Sequence, residues 1–117
     1  MHPYNLAEKG LAAKIEVECE SLEEVALVIA LIDDPGVETT ALSRVMLDNM
    51  SLVDMKAAVE MIGGRAETEA SGNVTLDSVH AIGQTGVTFI SSGALTHSVM
   101  ALDISLNIEC DFKQKAK

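Results

Sequence analysis

Four times along this chain a short segment with period-two apolar alternation is followed by a stretch with helical periodicity. That repetition leaves few folds open. The strand-like segments "KIEVEC", "RVMLD", "RAETEAS" and "VTFIS" begin near residues 14, 44, 65 and 87. After the first comes "SLEEVALVIALI", where Ser21 and Glu24 form an S-x-x-E capping box and Leu22, Val25, Ile29 and Ile32 make an apolar stripe. After the second comes "NMSLVDMKAAVEMIGG", with Ser51 as N-cap, Leu52, Met55, Val59 and Ile62 facing inward, and Gly63-Gly64 ending the helix. The third leads to a helix starting near Thr75 that carries Leu76, Val79 and Ile82, and the fourth runs into "SGALTHS". Parallel strands need a crossover between them, and a helix is the usual one. The predicted fold is therefore α/β: a partial TIM-like parallel α/β barrel of about four βα units. "ALDISLNIE" alternates once more, and a C-terminal strand is expected over 102–109 outside the βα series. This divides the chain into a lead-in at 1–13, a barrel part at 14–101, the strand at 102–109 and a tail at 110–117.

The totals bound the function classes. A chain of 117 residues with 48% apolar and 22% charged residues is one globular domain. Eighteen acids against eight basic residues leave a net charge of -10, which argues against nucleic acid or an anionic membrane as partner. No apolar run reaches the length of about 18 residues that a membrane helix needs. The start "MHPYNLAEKG" has neither an apolar core nor an Arg- and Ser-rich pattern, so no targeting signal is visible and an intracellular location is expected. Cys19 and Cys110 lie far apart and match no metal spacing, as free thiols in a reducing compartment would. Cys19 is expected to pack between strand and helix.

Strand parity then sorts the acids. If Ile15, Val17 and Cys19 face the helices, Glu16 and Glu18 face the other way. On the second strand Val45 and Leu47 face the helices while Met46 and Asp48 face in, and on the third Glu67 and Glu69 alternate with Ala66, Thr68 and Ala70. Glu18, Asp48 and Glu69 fall at or near the C-terminal ends of their strands, the end that carries the active site in βα barrels. Two carboxylates on neighbouring strand ends can hold a divalent cation, usually through water, or accept bonds from sugar hydroxyls. They can equally cap helices or pair with Lys and Arg. Arg44 and Arg65 are expected ahead of their strands, at the far end from these acids.

Two glycine turns leave strands three and four. Ser71-Gly72-Asn73 and Ser92-Gly93-Ala94 would present backbone N–H groups near helix starts, where a phosphate is stabilised. A plain tight turn explains each alone; two beside a carboxylate group favour phosphate. His97 could touch a ligand from the same loop or cap a short helix.

These motifs carry a resemblance. "KIEVECESLEEV", "RVMLDNM", "RAETEASGNVTLDSVHAIGQTGVTFISSGALTHS" and "ALDISL" resemble, in order and spacing, the C-terminal part of the quinolinate phosphoribosyltransferase family, and plant members most. The resemblance implies a pentosyltransferase that uses Mg²⁺ and no organic cofactor. Quinolinate would displace pyrophosphate from phosphoribosyl pyrophosphate and lose carbon dioxide, giving nicotinate mononucleotide for NAD synthesis. It implies that Glu18 and Asp48 hold the ribose hydroxyls and the Mg²⁺-bound substrate, as the catalytic acids. Ser71, Gly72 and Asn73 would be the first phosphate turn, with Asn73 where the family pattern has a third glycine. Ser92, Gly93 and Ala94 would be the second, and Glu69 and His97 further candidates. A homo-oligomer is implied for the complete enzyme, and a plastid location if the source is a plant, cytoplasmic otherwise.

The departure is one of extent. The family's chain is more than twice this length, and its other part supplies the Arg, Lys and His residues that grip both quinolinate carboxylates. No basic cluster is expected on this rim, so the chain reads as a fragment, inactive alone. The rival readings are a non-catalytic phosphate- or nucleotide-binding module and a regulatory subunit derived from the enzyme.

Overall fold

The computed structural model describes residues 13–39, 41–97 and 101–109. Strand β1 (Ile15–Cys19) is followed by α1 (Leu22–Ile32), β2 (Leu42–Asp48), α2 (Leu52–Ile62), β3 (Glu67–Ser71), α3 (Leu76–Gly83) and β4 (Phe89–Ile90), then a short 3-10 turn at Gly93–Leu95. The strands form one sheet in the order β1-β2-β3-β4, and every neighbouring pair is parallel. This is the layout of four consecutive βα units, as the spacing predicted. β4 is shorter than "VTFIS", although Thr88 N–H donates to the Thr68 carbonyl at 3.0 Å and Ser91 N–H to that of Ala70 at 2.9 Å, continuing the pairing at both ends.

The parity assignments hold except at Ile15, which is 49% exposed and stands outside the core. Cys19, Val45, Leu47 and Ala70 meet Val25, Val28, Met55, Ala58, Ile62 and Ile82 in one buried cluster. Strand residues of the other parity form the opposite face. Cys19 is 1% exposed, and burial first, then the charges of Glu24 and Glu18, push its thiol upward. An inert, packed side chain is the result.

The helix starts follow their caps with one change of partner. Ser21 accepts from the Glu24 N–H at 3.3 Å, but the Glu24 carboxylate accepts from the N–H of Glu20, at 2.7 Å, so the box closes one residue early. Ser51 accepts from the Asp54 N–H at 3.1 Å, and α3 has a full capping box between Thr75 and Ser78. α2 ends on left-handed Gly63, as the Gly-Gly pair predicted.

Two expectations are corrected. Leu52 does not face inward: it is 45% exposed, and the buried residues of α2 are Met55, Ala58 and Ile62. Residues 101–109 contain no strand. Leu102, Ile104, Leu106 and Ile108 are all exposed, since alternation gives a segment two faces but a strand exists only when its backbone groups find a neighbour. The lead-in at 1–12 and the tail at 110–117, including Cys110, lie outside the described residues. No helix among the described residues is long and apolar enough to cross a membrane.

Candidate functional site

The sheet face opposite the helices is built in rungs by the parallel register. The lowest rung pairs Glu16, Arg44 and Glu67; the next pairs Glu18, Met46, Glu69 and Phe89; the top one pairs Asp48 with Ser71. Arg44 corrects the expectation that it precedes its strand, at the far end from these acids. It lies inside β2, its Nη1 is 2.6 Å from Glu69 and its Nη2 is 3.1 Å from Glu67, and its guanidinium sits 3.9 Å over the Phe89 ring. Arg65 does precede its strand, and pairs with Asp33 at 2.9 Å.

Glu69 is 7% exposed and fully engaged. It accepts from the Ser91 hydroxyl as well as from Arg44. The Ser91 bond first, then Arg44, hold its carboxyl below the usual range against the opposing effect of burial. Glu16 goes the other way: burial and then the Glu69 charge push it up, with Arg44 opposing. Glu69 therefore links β3 to the start of the turn after β4.

Above it, at the C-terminal strand ends, Glu18, Glu20 and Asp48 place carboxylate oxygens within 4.8 Å of one another. Glu18 and Asp48 are brought together as the sequence predicted. Glu20 was not counted among the site residues, yet the every-second-residue spacing of Glu16, Glu18 and Glu20 already pointed to it. Three hard oxygen donors suit Mg²⁺ or a similar cation.

The loops behind the acids are tied to each other. Asn49 N–H donates to the Ser71 carbonyl at 3.0 Å, Asn49 Nδ2 donates to Asp48 at 2.7 Å, and Asn73 Nδ2 donates to Asn49 Oδ1 at 2.9 Å. Asn49 and Asn73 adopt left-handed backbone angles, φ 53° and 50°, which Asn tolerates better than most residues. Gly72, at φ 87°, must be glycine: a methyl carbon there would overlap the Asn49 side-chain oxygen and come within 2.9 Å of its backbone nitrogen. Asn49 is the contributor the sequence reading passed over.

Ser71, Gly72 and Asn73 share one open cleft of about 660 Å³ with Ser92, Gly93 and His97. The Ser92 hydroxyl donates to the Val74 carbonyl at 3.1 Å, bracing the second turn on the first. The His97 ring lies so close to Gly93 that a side chain at 93 would displace it. Ala94 stands apart: it lines a neighbouring apolar recess with Leu76, Val79 and Leu95. The site thus joins a carboxylate group to a cleft walled by two glycine turns.

The family model described as quinolinate phosphoribosyl transferase, C-terminal domain, matches residues 5–107. The chain belongs to the quinolinate phosphoribosyltransferase family. It is similar to the chloroplastic nicotinate-nucleotide pyrophosphorylase [carboxylating] of Arabidopsis thaliana, with 57% identity covering 91% of this chain and 32% of the relative. A mitochondrial quinolinate phosphoribosyltransferase [decarboxylating] of Nicotiana tabacum is 53% identical over the same shares. The solved nicotinate-nucleotide pyrophosphorylase of Francisella tularensis superposes with a TM-score of 0.63 at 39% identity, covering 85% of this chain and 33% of that one. The chain spans about a third of the length of the family members it matches. Within the family, then, this segment brings the acids and glycine turns of the rim, and its one cation on that face is committed to Glu67 and Glu69 among the described residues.

Proposed function

We propose that this chain is the phosphoribosyl-pyrophosphate-binding C-terminal part of a quinolinate phosphoribosyltransferase. The complete enzyme would make nicotinate mononucleotide, pyrophosphate and carbon dioxide from quinolinate and phosphoribosyl pyrophosphate in de novo NAD biosynthesis. The observation that carries this is the continuity of the rim: the oxygens of Glu18, Glu20 and Asp48 lie together, and Asp48 is bonded through Asn49 to the first of two glycine turns.

In this reading the turns at Ser71–Asn73 and Ser92–Gly93 offer backbone N–H groups to the phosphate of the ribosyl moiety. Glu18 and Asp48 accept from the ribose hydroxyls and offset positive charge developing on the ring as pyrophosphate leaves. Mg²⁺, when bound, neutralises part of the pyrophosphate charge, and Glu18, Glu20 and Asp48 are the residues that fit it. Glu69, Ser91 and Arg44 brace the strands beneath. The relatives' names support an organelle location, plastid in a plant, and a homo-oligomer is proposed for the complete enzyme.

A second reading follows from Arg44. Its Nη1 and Nη2 are taken up by Glu69 and Glu67, so neither is left for a dianionic acid. Alone, the chain would act as a phosphoribosyl-binding module without turnover, because orienting both reactants carries much of the rate gain. The test is release of pyrophosphate and carbon dioxide from quinolinate, phosphoribosyl pyrophosphate and Mg²⁺. It is run with the chain alone and with the upstream two-thirds of the Arabidopsis relative supplied. Turnover only in the combined sample is expected. Turnover by the chain alone would sink the division of labour, and none in a folded combined sample would sink the enzymatic reading.

A further inference from the structure

We infer that Asn73 is a positioning residue for Asp48, acting through the side chain of Asn49. The three side chains form a directional relay, Asn73 to Asn49 at 2.9 Å and Asn49 to Asp48 at 2.7 Å, across two loops 24 residues apart. The chemistry of the groups fixes its direction. An ionised carboxylate only accepts, so Asn49 must turn its NH₂ towards Asp48. A flipped amide would set Asn49 Oδ1 against the carboxylate. Asn73 prevents the flip by donating to Oδ1. The bond to Asn49 takes up one lone pair of Asp48 Oδ2, and the same carboxylate belongs to the group formed with Glu18 and Glu20.

The backbone supports the relay from both sides. Asn49 N–H is bonded to the Ser71 carbonyl, and Gly72 lets the two loops touch where a side chain could not fit. Asn49 and Asn73 both have left-handed backbone angles, φ 53° and 50°, and each amide is tied by the hydrogen bonds of the relay. Asn73 thus has work for its side chain that is separate from offering a backbone N–H to a phosphate. Orienting partners behind a metal-binding carboxylate typically contribute tenfold to a hundredfold in metal affinity.

This rests on the reading of Asp48 as a cation-holding acid, and the experiment separates the two. Binding of Mn²⁺ to the 117-residue chain is followed by the loss of the free-ion electron paramagnetic resonance signal. The variants are Asp48→Asn, Asn73→Gly, Asn49→Gly and the double Asn49→Gly, Asn73→Gly. Glycine accepts φ near 50° without strain, so these substitutions remove the amides and spare the backbone; circular dichroism checks that each variant is folded. Asp48→Asn should abolish binding. Asn73→Gly and Asn49→Gly should each weaken it about tenfold, and the double variant no more than the stronger single one, because the amides act in series. Wild-type affinity in Asn73→Gly, with binding lost in Asp48→Asn, would overturn the relay and leave the acid site standing. Additive losses would show that Asn73 acts other than through Asn49 and would overturn it too. Wild-type affinity in Asp48→Asn would remove the acid site and the relay together.

Discussion

Gly72→Ala should be far more damaging than its small size suggests, and Gly64→Ala is the control that says why. Both glycines have positive φ, 87° and 81°, so alanine at either is strained by about 1–2 kcal/mol. Gly64 has nothing within 4 Å of the added methyl, so strain is its whole cost. At Gly72 the methyl meets Asn49 and must push that loop away. The Asn49 N–H bond to Ser71 and the Asn73 bond to Asn49 go with it, at about 1 kcal/mol each. The two variants should therefore differ by about 2 kcal/mol. For a domain of this size each kcal/mol moves the melting midpoint by roughly 4–8 °C, so Gly72→Ala should melt roughly 8–16 °C below Gly64→Ala. Thermal unfolding by circular dichroism measures the difference. Only Gly72→Ala should also weaken Mn²⁺ binding, since Gly64 lies after α2 at the other end of the sheet. Equal midpoints for the two variants would refute the contact argument, leaving backbone strain as the only effect.

In a complete enzyme carrying this segment, Glu18→Gln and Asp48→Asn should each lower turnover about a hundredfold or more while leaving the melting midpoint within a few degrees. Near-normal turnover in both would make these acids structural only. Ser91→Ala and Arg44→Met should each raise the Glu69 pKa, as followed by the Glu69 carboxyl resonance against pH; no rise in Ser91→Ala would contradict the assignment of the Ser91 bond as a stabiliser of the carboxylate. Because the folded-state pKa of Glu69 is depressed, its contribution to stability is present above the ordinary carboxylate pKa and lost as pH falls through the depressed one. Glu16, raised in the folded state, contributes below its ordinary pKa and loses that contribution as pH rises through its raised one. Ser91→Ala should thus lower the midpoint at neutral pH and change it little at strongly acid pH, so that the fall of the midpoint on acidification becomes shallower.

What the sequence disclosed and what it hid divide along one physical line. Periodicity and caps are local, so the order of elements, most of the helix-facing residues and the approach of Glu18 to Asp48 at the ends of β1 and β2 were legible. Arg44 was not, because it was set ahead of its strand, whereas the ladder begins at Leu42 and passes through a register shift before Arg44. Ile15 pairs with Leu42 but Glu16 pairs with Arg44, so Ser43 is an extra residue in the ladder, with its hydroxyl donating to the Ile15 carbonyl at 3.3 Å. A bulge of this kind flips the alternation. It lets Leu42 pack on the core while Arg44, two residues later, points at the acids instead of sharing Leu42's face. Strict alternation from Val45 backwards gives Arg44 the correct side, but only the longer ladder shows that the strand extends that far. The C-terminal segment fails for the converse reason: its alternation is real, but a ladder needs a second backbone, which no periodicity can supply. The relay from Asn73 through Asn49 is the hardest case. Each Asn alone signals only a tolerance for left-handed angles, and their partnership depends on β2 and β3 ending at the same height, with Asp48 beside Ser71. Wherever that register and Gly72 persist, the two loops must touch, and the residue at 73 then decides whether Asp48 is held from behind.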